Sequence, residues 1–201
     1  MLRGKLISID KYNEIWKITI RIKFNPKPGQ YISIVLPLEG EYPLSIGDYN
    51  NDILTLYVES RKIIEKISKL SNILIKGPLG IPIDLNGERI LGISIGKYCY
   101  DLNYPLLYGI RQGKIARLYC IENCECEEIP RVKEMEHYDT ILASLPLDLV
   151  KKIELPKNSY VYVRWVKMNC MLGVCGVCEF NGYLPCIQGP FMRLERIVDK
   201  R

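Results

Sequence analysis

The sequence predicts an antiparallel β-barrel, then a small α/β domain, then a cysteine-rich C-terminal module. Three observations carry this. The first third alternates apolar and polar residues in short runs broken by turns. From about Glu88, buried strand candidates alternate with helical segments. Half of the eight cysteines, namely Cys170, Cys175, Cys178 and Cys186, crowd into one stretch near the end. The expected boundaries are 1–87, 88–166 and 167–201.

The barrel rests on strand periodicity. Trp16 to Phe24 alternates strictly, as a strand with one buried and one wet face does. "NPKPG" breaks it. "QYISIVLP" and "DILTLYVES" are further strands, separated by the turn-forming "GDYNND". Several short strands with turns between them suggest a small antiparallel barrel. Then the period changes. Ile63, Ile64, Ile67 and Leu70 share one helical face between Ser60 and Leu70, with the charged residues elsewhere. "NILIKGPLGIPID" reads as a strand followed by a Gly/Pro loop.

In the second domain, "ERILGISIG", "KIARLYCIE", "YDTILASLP" and "SYVYVRWVK" are strand candidates. "YDLNYPLLYGIRQG" is helical at its centre, and "LDLVKKI" is a short helix. Strands alternating with helices imply a parallel sheet. The segment is short, with room for about three or four crossovers at most.

Composition sets limits. Of 201 residues, 48% are apolar and 25% charged, enough for a globular core. No apolar run is long enough for a transmembrane helix, and the N-terminus does not read as a signal peptide. Cytoplasmic residence is the default expectation, and there cysteines serve as metal ligands or free thiols more often than in disulfides. The net charge of +5 is spread among acids, so nucleic acid is not suggested as a partner.

The four C-terminal cysteines are spaced C-x4-C-x2-C-x7-C. Zinc favours two short C-x2-C knuckles, and only one occurs here. An opening C-x4-C-x2-C with a more distant fourth cysteine is the spacing of plant-type 2Fe–2S sites. Two irons need ligands on opposite sides of a flat rhomb, so a loop must wrap around it. Gly173 and Gly176 relieve crowding where backbone would approach the sulfides. Spacing favours an iron–sulfur cluster and leaves zinc, or no metal, as alternatives.

"GVCGVCEF" followed by "PCIQGPFM" resembles the C-terminal module of the electron-transfer subunits of type-B dihydroorotate dehydrogenases, within the ferredoxin-reductase-like superfamily. In that family the cysteines ligate one 2Fe–2S cluster, which implies Cys170, Cys175, Cys178 and Cys186 here. The gap before the fourth ligand is shorter than is usual in the family, so a clipped hairpin is expected there. The resemblance continues forward. "PKPGQYISI" is similar to a Pro-Gly-Gln-Phe strand of the flavin domains. "YPLSI" stands where the superfamily has its Arg-Pro-Leu-Ser-Ile motif, which implies FAD contacts at Tyr42, Pro43, Leu44 and Ser45. Leu56, Tyr57 and Val58 stand where a Leu-Tyr-Arg strand runs beside the flavin. Gly77, Pro78, Leu79 and Gly80 match the family's Gly-Pro-Leu-Gly.

The departures are equally specific. The motif's arginine is Tyr42, which could stack on the cofactor or simply pack. The family's Gly-Thr turn is replaced by "ESRKIIEK", where a helix N-terminus with Arg61 or Lys62 could meet the FAD pyrophosphate. Both could equally be solvated face residues. The family's glycine-rich nucleotide loop is reduced to Ser94-Ile95-Gly96-Lys97-Tyr98-Cys99-Tyr100, and its later Cys-Gly-Pro reads "SLP". The second domain is therefore expected to be a scaffold with a degenerate NAD site.

The resemblance implies an accessory subunit with no catalytic residue of its own. It would carry FAD and a 2Fe–2S cluster and pair with an FMN-containing catalytic subunit, as a heterotetramer, in pyrimidine biosynthesis. It would pass electrons to an external acceptor other than NAD. A reductase subunit of another oxidoreductase, such as a hydrogenase, and a zinc-stabilised interaction module are the alternatives. Met171, Leu172, Phe191 and Met192 are candidate interface residues, with internal packing as the alternative. Cys120, Cys124 and Cys126 lack a fourth ligand and read as free thiols, and Cys99 as a packed one. His137 has no nucleophile motif beside it.

Overall fold

A computed structural model describes residues 1–12, 14–135 and 137–198. The N-terminal unit is an antiparallel sheet of β1 (Leu2–Tyr12), β2 (Ile15–Arg21), β3 (Tyr31–Leu36), β4 (Gly40–Ser45), β5 (Asp48–Asn50), β6 (Ile53–Val58) and, after helix α1 (Arg61–Ile67), β7 (Asn72–Leu79). The hydrogen-bonded order is β4-β3-β7-β1-β2-β6-β5. The sheet curls until β4 packs near β6. Every second residue points inward, as the pleat dictates. Ile18 and Ile20 of β2, Ile32 and Ile34 of β3, Leu54 and Leu56 of β6, and Ile73 and Ile75 of β7 are fully buried together.

The second unit runs β8 (Arg89–Ser94), a 3₁₀ turn (Gly96–Cys99), α2 (Tyr100–Arg111), β9 (Ile115–Cys120), β10 (Arg131–Val132), β11 (Thr140–Ser144), α3 (Leu147–Val150), β12 (Tyr160–Tyr162), α4 (Pro185–Gln188), β13 (Phe191–Arg193) and α5 (Glu195–Val198). Its order is β10-β9-β8-β11-β12-β13, parallel throughout except for β13. One face packs Ile90 and Leu118 against Leu102 and Leu106 of α2. The other packs Leu91, Ile93 and Val161 against Val150, Met192 and Ile197. Both faces are covered, as parallel sheets require.

The C-terminal segment is not free-standing. After the cysteines it returns as β13, which pairs Tyr160 with Arg193 and Tyr162 with Phe191. Met171, Phe191 and Met192 are consequently buried, with 1%, 5% and 1% exposure, which removes them as interface candidates. Leu172 stays exposed, as do Val174, Val177 and Ile187. No helix among the described residues is long and apolar enough to cross a membrane.

Candidate functional site

A cleft of about 460 Å³ opens where the two sheets meet. Tyr42, Pro43, Leu44 and Ser45 form one wall. They belong to β4, an edge strand, where proline is tolerated. Tyr57 forms the floor beside them. Its neighbours Leu56 and Val58 point the other way, buried in the barrel core, so their side chains do not reach the cleft. The pleat explains this: within a strand, only alternate residues share a face. Tyr100, Asp101, Tyr162 and Arg164 form the opposite wall.

Arg61 and Lys62 lie outside this lining. Both are exposed, and Arg61 pairs with Glu65 one turn on. The N-terminus of α1 is capped by its own residue, since Ser60 Oγ accepts from the Ile63 amide. Gly77 to Gly80 also lie away from the cleft wall. They form the end of β7 and the turn that supports the cysteine module. A Cβ on Gly80 would collide with the Gly189 carbonyl, and Ile81 N–H donates to that same oxygen at 2.9 Å.

The charged groups around the cleft are paired. Glu59 accepts from both Lys97 and Arg164. Asp101, 5% exposed, accepts from Ser45 Oγ at 2.7 Å, Ser144 Oγ at 2.8 Å and Arg164 Nη1 at 3.1 Å. One carboxylate thus ties the barrel to the α/β sheet. Tyr100 stacks on Tyr57 with ring centroids 4.2 Å apart.

The cysteine module starts at the cleft itself. Met168 and Asn169 line it, and Cys170 follows directly. Tyr31 lines it too, and its hydroxyl donates to the Cys186 carbonyl at 2.9 Å. Burial, followed by the nearby Cys186, raises the Tyr31 pKa, so the hydroxyl stays a donor. Lys76 donates to the Cys170 carbonyl at 3.1 Å.

The sulfurs fall into two pairs. The Leu172 amide, then the Cys175 thiol and the amides of Cys175 and Val174, bring the Cys170 pKa down to about 6. Burial, then the adjoining Cys178 thiol, pushes Cys186 up to about 12, against the Gly173 amide. Gly173 and Gly176 have φ of 74° and 68°, the left-handed region that glycine enters freely. Between the third and fourth cysteines, Phe180 and Tyr183 pair around Asn181-Gly182, a two-residue hairpin that closes the short gap. Among the described residues no group of three or more His, Cys, Asp or Glu side chains is placed to hold a metal ion.

The other four cysteines are not the free or singly packed thiols expected from the sequence. Cys99 is joined to Cys126, and Cys120 to Cys124. Cys99 supplies the fourth thiol that the segment "CIENCEC" lacked.

The reduced nucleotide loop is fully engaged. Lys97 pairs with Glu59, Tyr98 lies under the Arg164 guanidinium, Cys99 joins Cys126, and Tyr100 stacks on Tyr57. The gap between the ends of β8 and β11 is bridged by Ser94 Oγ donating to the Ser144 carbonyl at 3.0 Å.

No family model matches the chain. Curated relatives do match, along most of it. A protein of Thermococcus kodakarensis named "Probable dihydroorotate dehydrogenase B (NAD(+)), electron transfer subunit" is 24% identical over 232 aligned positions, covering 96% of this chain and 98% of the relative. One of the same name from Pyrococcus furiosus is 24% identical, covering 95% and 88%. Among solved structures, an NADH-dependent reduced ferredoxin-NADP oxidoreductase superposes with a TM-score of 0.72 at 17% identity, covering 96% of this chain and 88% of that one. A ferredoxin reductase of carbazole 1,9a-dioxygenase gives 0.54 at 13% identity, covering 80% and 60%. The fold is ferredoxin-reductase-like, and the sequence is similar, along nearly all of its length, to the electron transfer subunits of dihydroorotate dehydrogenase B.

Proposed function

We propose that this chain is the electron-transfer subunit of a dihydroorotate dehydrogenase. It receives electrons from an FMN-bearing catalytic partner and delivers them, through a 2Fe–2S cluster and FAD, to an acceptor other than NAD. The observation that carries this reading is the shared wall. Tyr31, Met168 and Asn169 line the cleft and also hold or lead into the cysteine module, so the two sites are back to back. Electron transfer weakens steeply with distance, and this placement keeps the path short.

The donor set fits a binuclear cluster. Cys170 with Cys175 would hold one iron, and Cys178 with Cys186 the other. The amides around Cys170 would donate to sulfur and stabilise negative charge there. The cleft fits a flavin. Its volume lies within the range of small-molecule sites, and its walls are aromatic with a few polar groups. Tyr42 to Ser45 and Tyr57 are the residues that would hold FAD. Gly77 to Gly80 act behind it, by seating the module against β7. The cluster and the flavin supply the one- and two-electron chemistry, and the protein sets distance, polarity and access.

Four exposed apolar side chains sit on the cysteine module. Leu172, Val174, Val177 and Ile187 are 59%, 79%, 49% and 40% exposed. Such a patch suits a subunit contact that brings the partner's flavin near the cluster.

Co-expression with the FMN-bearing subunit and anaerobic purification test the reading. The expected product is a stable hetero-oligomer with FAD, FMN and about two irons and two labile sulfides per copy of this chain. Dihydroorotate should bleach its visible spectrum. Separate elution of the chains, FMN alone, or one zinc without sulfide in the C-terminal module would sink it.

A further inference from the structure

The fold gathers a second set of four cysteines, 99, 120, 124 and 126, at one end of the parallel sheet. Cys120 closes β9 and lies beside Ser94 at the end of β8, and Cys99 closes the 3₁₀ turn that follows β8. The loop after β9 is sewn to that turn. Ile121 N–H donates to the Ser94 carbonyl at 2.9 Å, Gly96 N–H to the Glu122 carbonyl at 3.0 Å, and Glu125 N–H to the Gly96 carbonyl at 3.2 Å. Cys99 thereby meets Cys126, with Cα atoms 6.1 Å apart, and Cys120 meets Cys124 at 5.8 Å. Cys99, Cys124 and Cys126 are 0%, 5% and 2% exposed.

Paired as disulfides, these four sulfurs hold no metal; we propose that, once reduced, the set is a tetrathiolate site for one zinc-class divalent ion. From the sequence alone, a metal at "CIENCEC" fails for want of a fourth ligand, and the fold provides it in Cys99. The backbone around the sulfurs is arranged for thiolates. The Cys126 amide donates to Cys99 Sγ at 3.0 Å, and the Cys124 amide to Cys120 Sγ at 3.1 Å. The Arg131 guanidinium donates to the Cys124 carbonyl at 2.7 Å and fixes the loop with a positive charge beside it. Four thiolates on a divalent ion carry a net charge of minus two, which a buried place tolerates only with such donors. One ion suits these ligands better than an iron–sulfur cluster. No glycine lies between Cys120 and Cys126, so the backbone lacks the room that Gly173 and Gly176 provide in the C-terminal module.

The disulfide-bonded and metal-bound forms differ by four electrons. A dithiol reductant supplies these with four protons to give four thiols. Metal binding then releases the four protons and forms four metal–sulfur bonds. The site is independent of the proposed flavin and cluster, so the two readings fail separately.

The test is elemental analysis of the full chain, purified anaerobically with its C-terminal cluster assembled. About one zinc per chain is expected beyond the iron. Cys99→Ser and Cys124→Ser should each lose the zinc and keep the iron and the visible colour, whereas Cys175→Ser should lose the colour and keep the zinc. A second measurement guards against misfolded variants. Wild-type holoprotein, reduced with a dithiol, stripped of zinc and given Co²⁺, should develop thiolate-to-cobalt charge-transfer absorption with tetrahedral bands. Two intact disulfides that take up no metal after reduction, or four free thiols that bind neither zinc nor cobalt, would overturn the proposal.

Discussion

Gly80 shows how much one missing side chain positions. It has φ of +76°, and a Cβ there would meet the Gly189 carbonyl that seats the cysteine module. Gly113, in the turn after α2, has φ of +78° with open space around it. Gly113→Ala should therefore cost only the left-handed strain, about 1–2 kcal/mol, or roughly 2–8 °C in Tm. Gly80→Ala should cost clearly more, and should loosen the proposed cluster in addition. Paired thermal melts and the visible spectrum check this; equal losses would show that Gly189 makes way freely. In the proposed reading Tyr57 bears on the cofactor instead. Tyr57→Ala should weaken flavin binding roughly tenfold, the worth of one aromatic contact of about 1–2 kcal/mol, while Arg61→Ala should leave it unchanged. Flavin titration by fluorescence reads both. Unchanged binding in Tyr57→Ala would move the flavin out of the cleft.

Elements were legible where one period ran unbroken. β2, β6 and β7 alternate cleanly, and their inward isoleucines and leucines are the barrel core. β1 escapes such reading because its register shifts between Leu6 and Ser8, so the apolar residues change face in mid-strand. β4 escapes because Gly40 and Pro43 look like loop residues; its place at the sheet edge permits them. β13 has three residues and follows Gly-Pro, too little for any period. The site divides similarly. Spacing within one segment marks Cys170, Cys175, Cys178 and Cys186, and motif order marks Tyr42 to Ser45 and Tyr57. Tyr31 stands in a motif that does not disclose its role, and Asp101, Arg164 and Cys99 carry no local signal. Each matters through a partner at least 27 residues away, such as Cys126 for Cys99, and only tertiary packing reveals that. Leu56 and Val58 enter only through their place beside Tyr57 in the motif, and the pleat turns them away.

At the scale of the whole molecule, two properties follow from what the junction between the sheets encloses. Burial raises the pKa of Tyr31, Tyr104 and Tyr162. In the unfolded chain these ionise near pH 10, whereas in the fold they stay neutral. The unfolded state therefore binds fewer protons above that pH, and stability falls as pH rises past 10, by at most about 1.4 kcal/mol per pH unit for each. Absorbance titration should show these tyrosines ionising only together with alkaline unfolding; smooth ionisation in the folded state would contradict it. The second is a prediction: nicotinamide dinucleotides should be poor electron partners. In open α/β sheets the ligand enters at the carboxyl ends of the strands, where the order reverses, with its pyrophosphate at a helix N-terminus. Here that point is the gap between β8 and β11, above the start of α2. Ser94 and Ser144 bridge the gap, and Asp101 places a carboxylate in the first turn of α2, where a pyrophosphate would need positive charge. Lys97, the nearest cation in the loop, is neutralised by Glu59. Tyr98 and Tyr100 fill the approach and are held by Arg164 and Tyr57. Binding energy from the pyrophosphate and adenosine is what holds a nicotinamide against a flavin, and little of it is available here. Stopped-flow mixing of the oxidised complex with micromolar NADH or NADPH should leave the flavin oxidised, while dyes or quinone analogues reoxidise the dihydroorotate-reduced complex rapidly. Fast bleaching by NADH would falsify this. Asp101→Asn, which removes the charge and keeps the shape, should then be the variant that gains most in NADH reactivity; no gain would place the obstacle in the tyrosines instead.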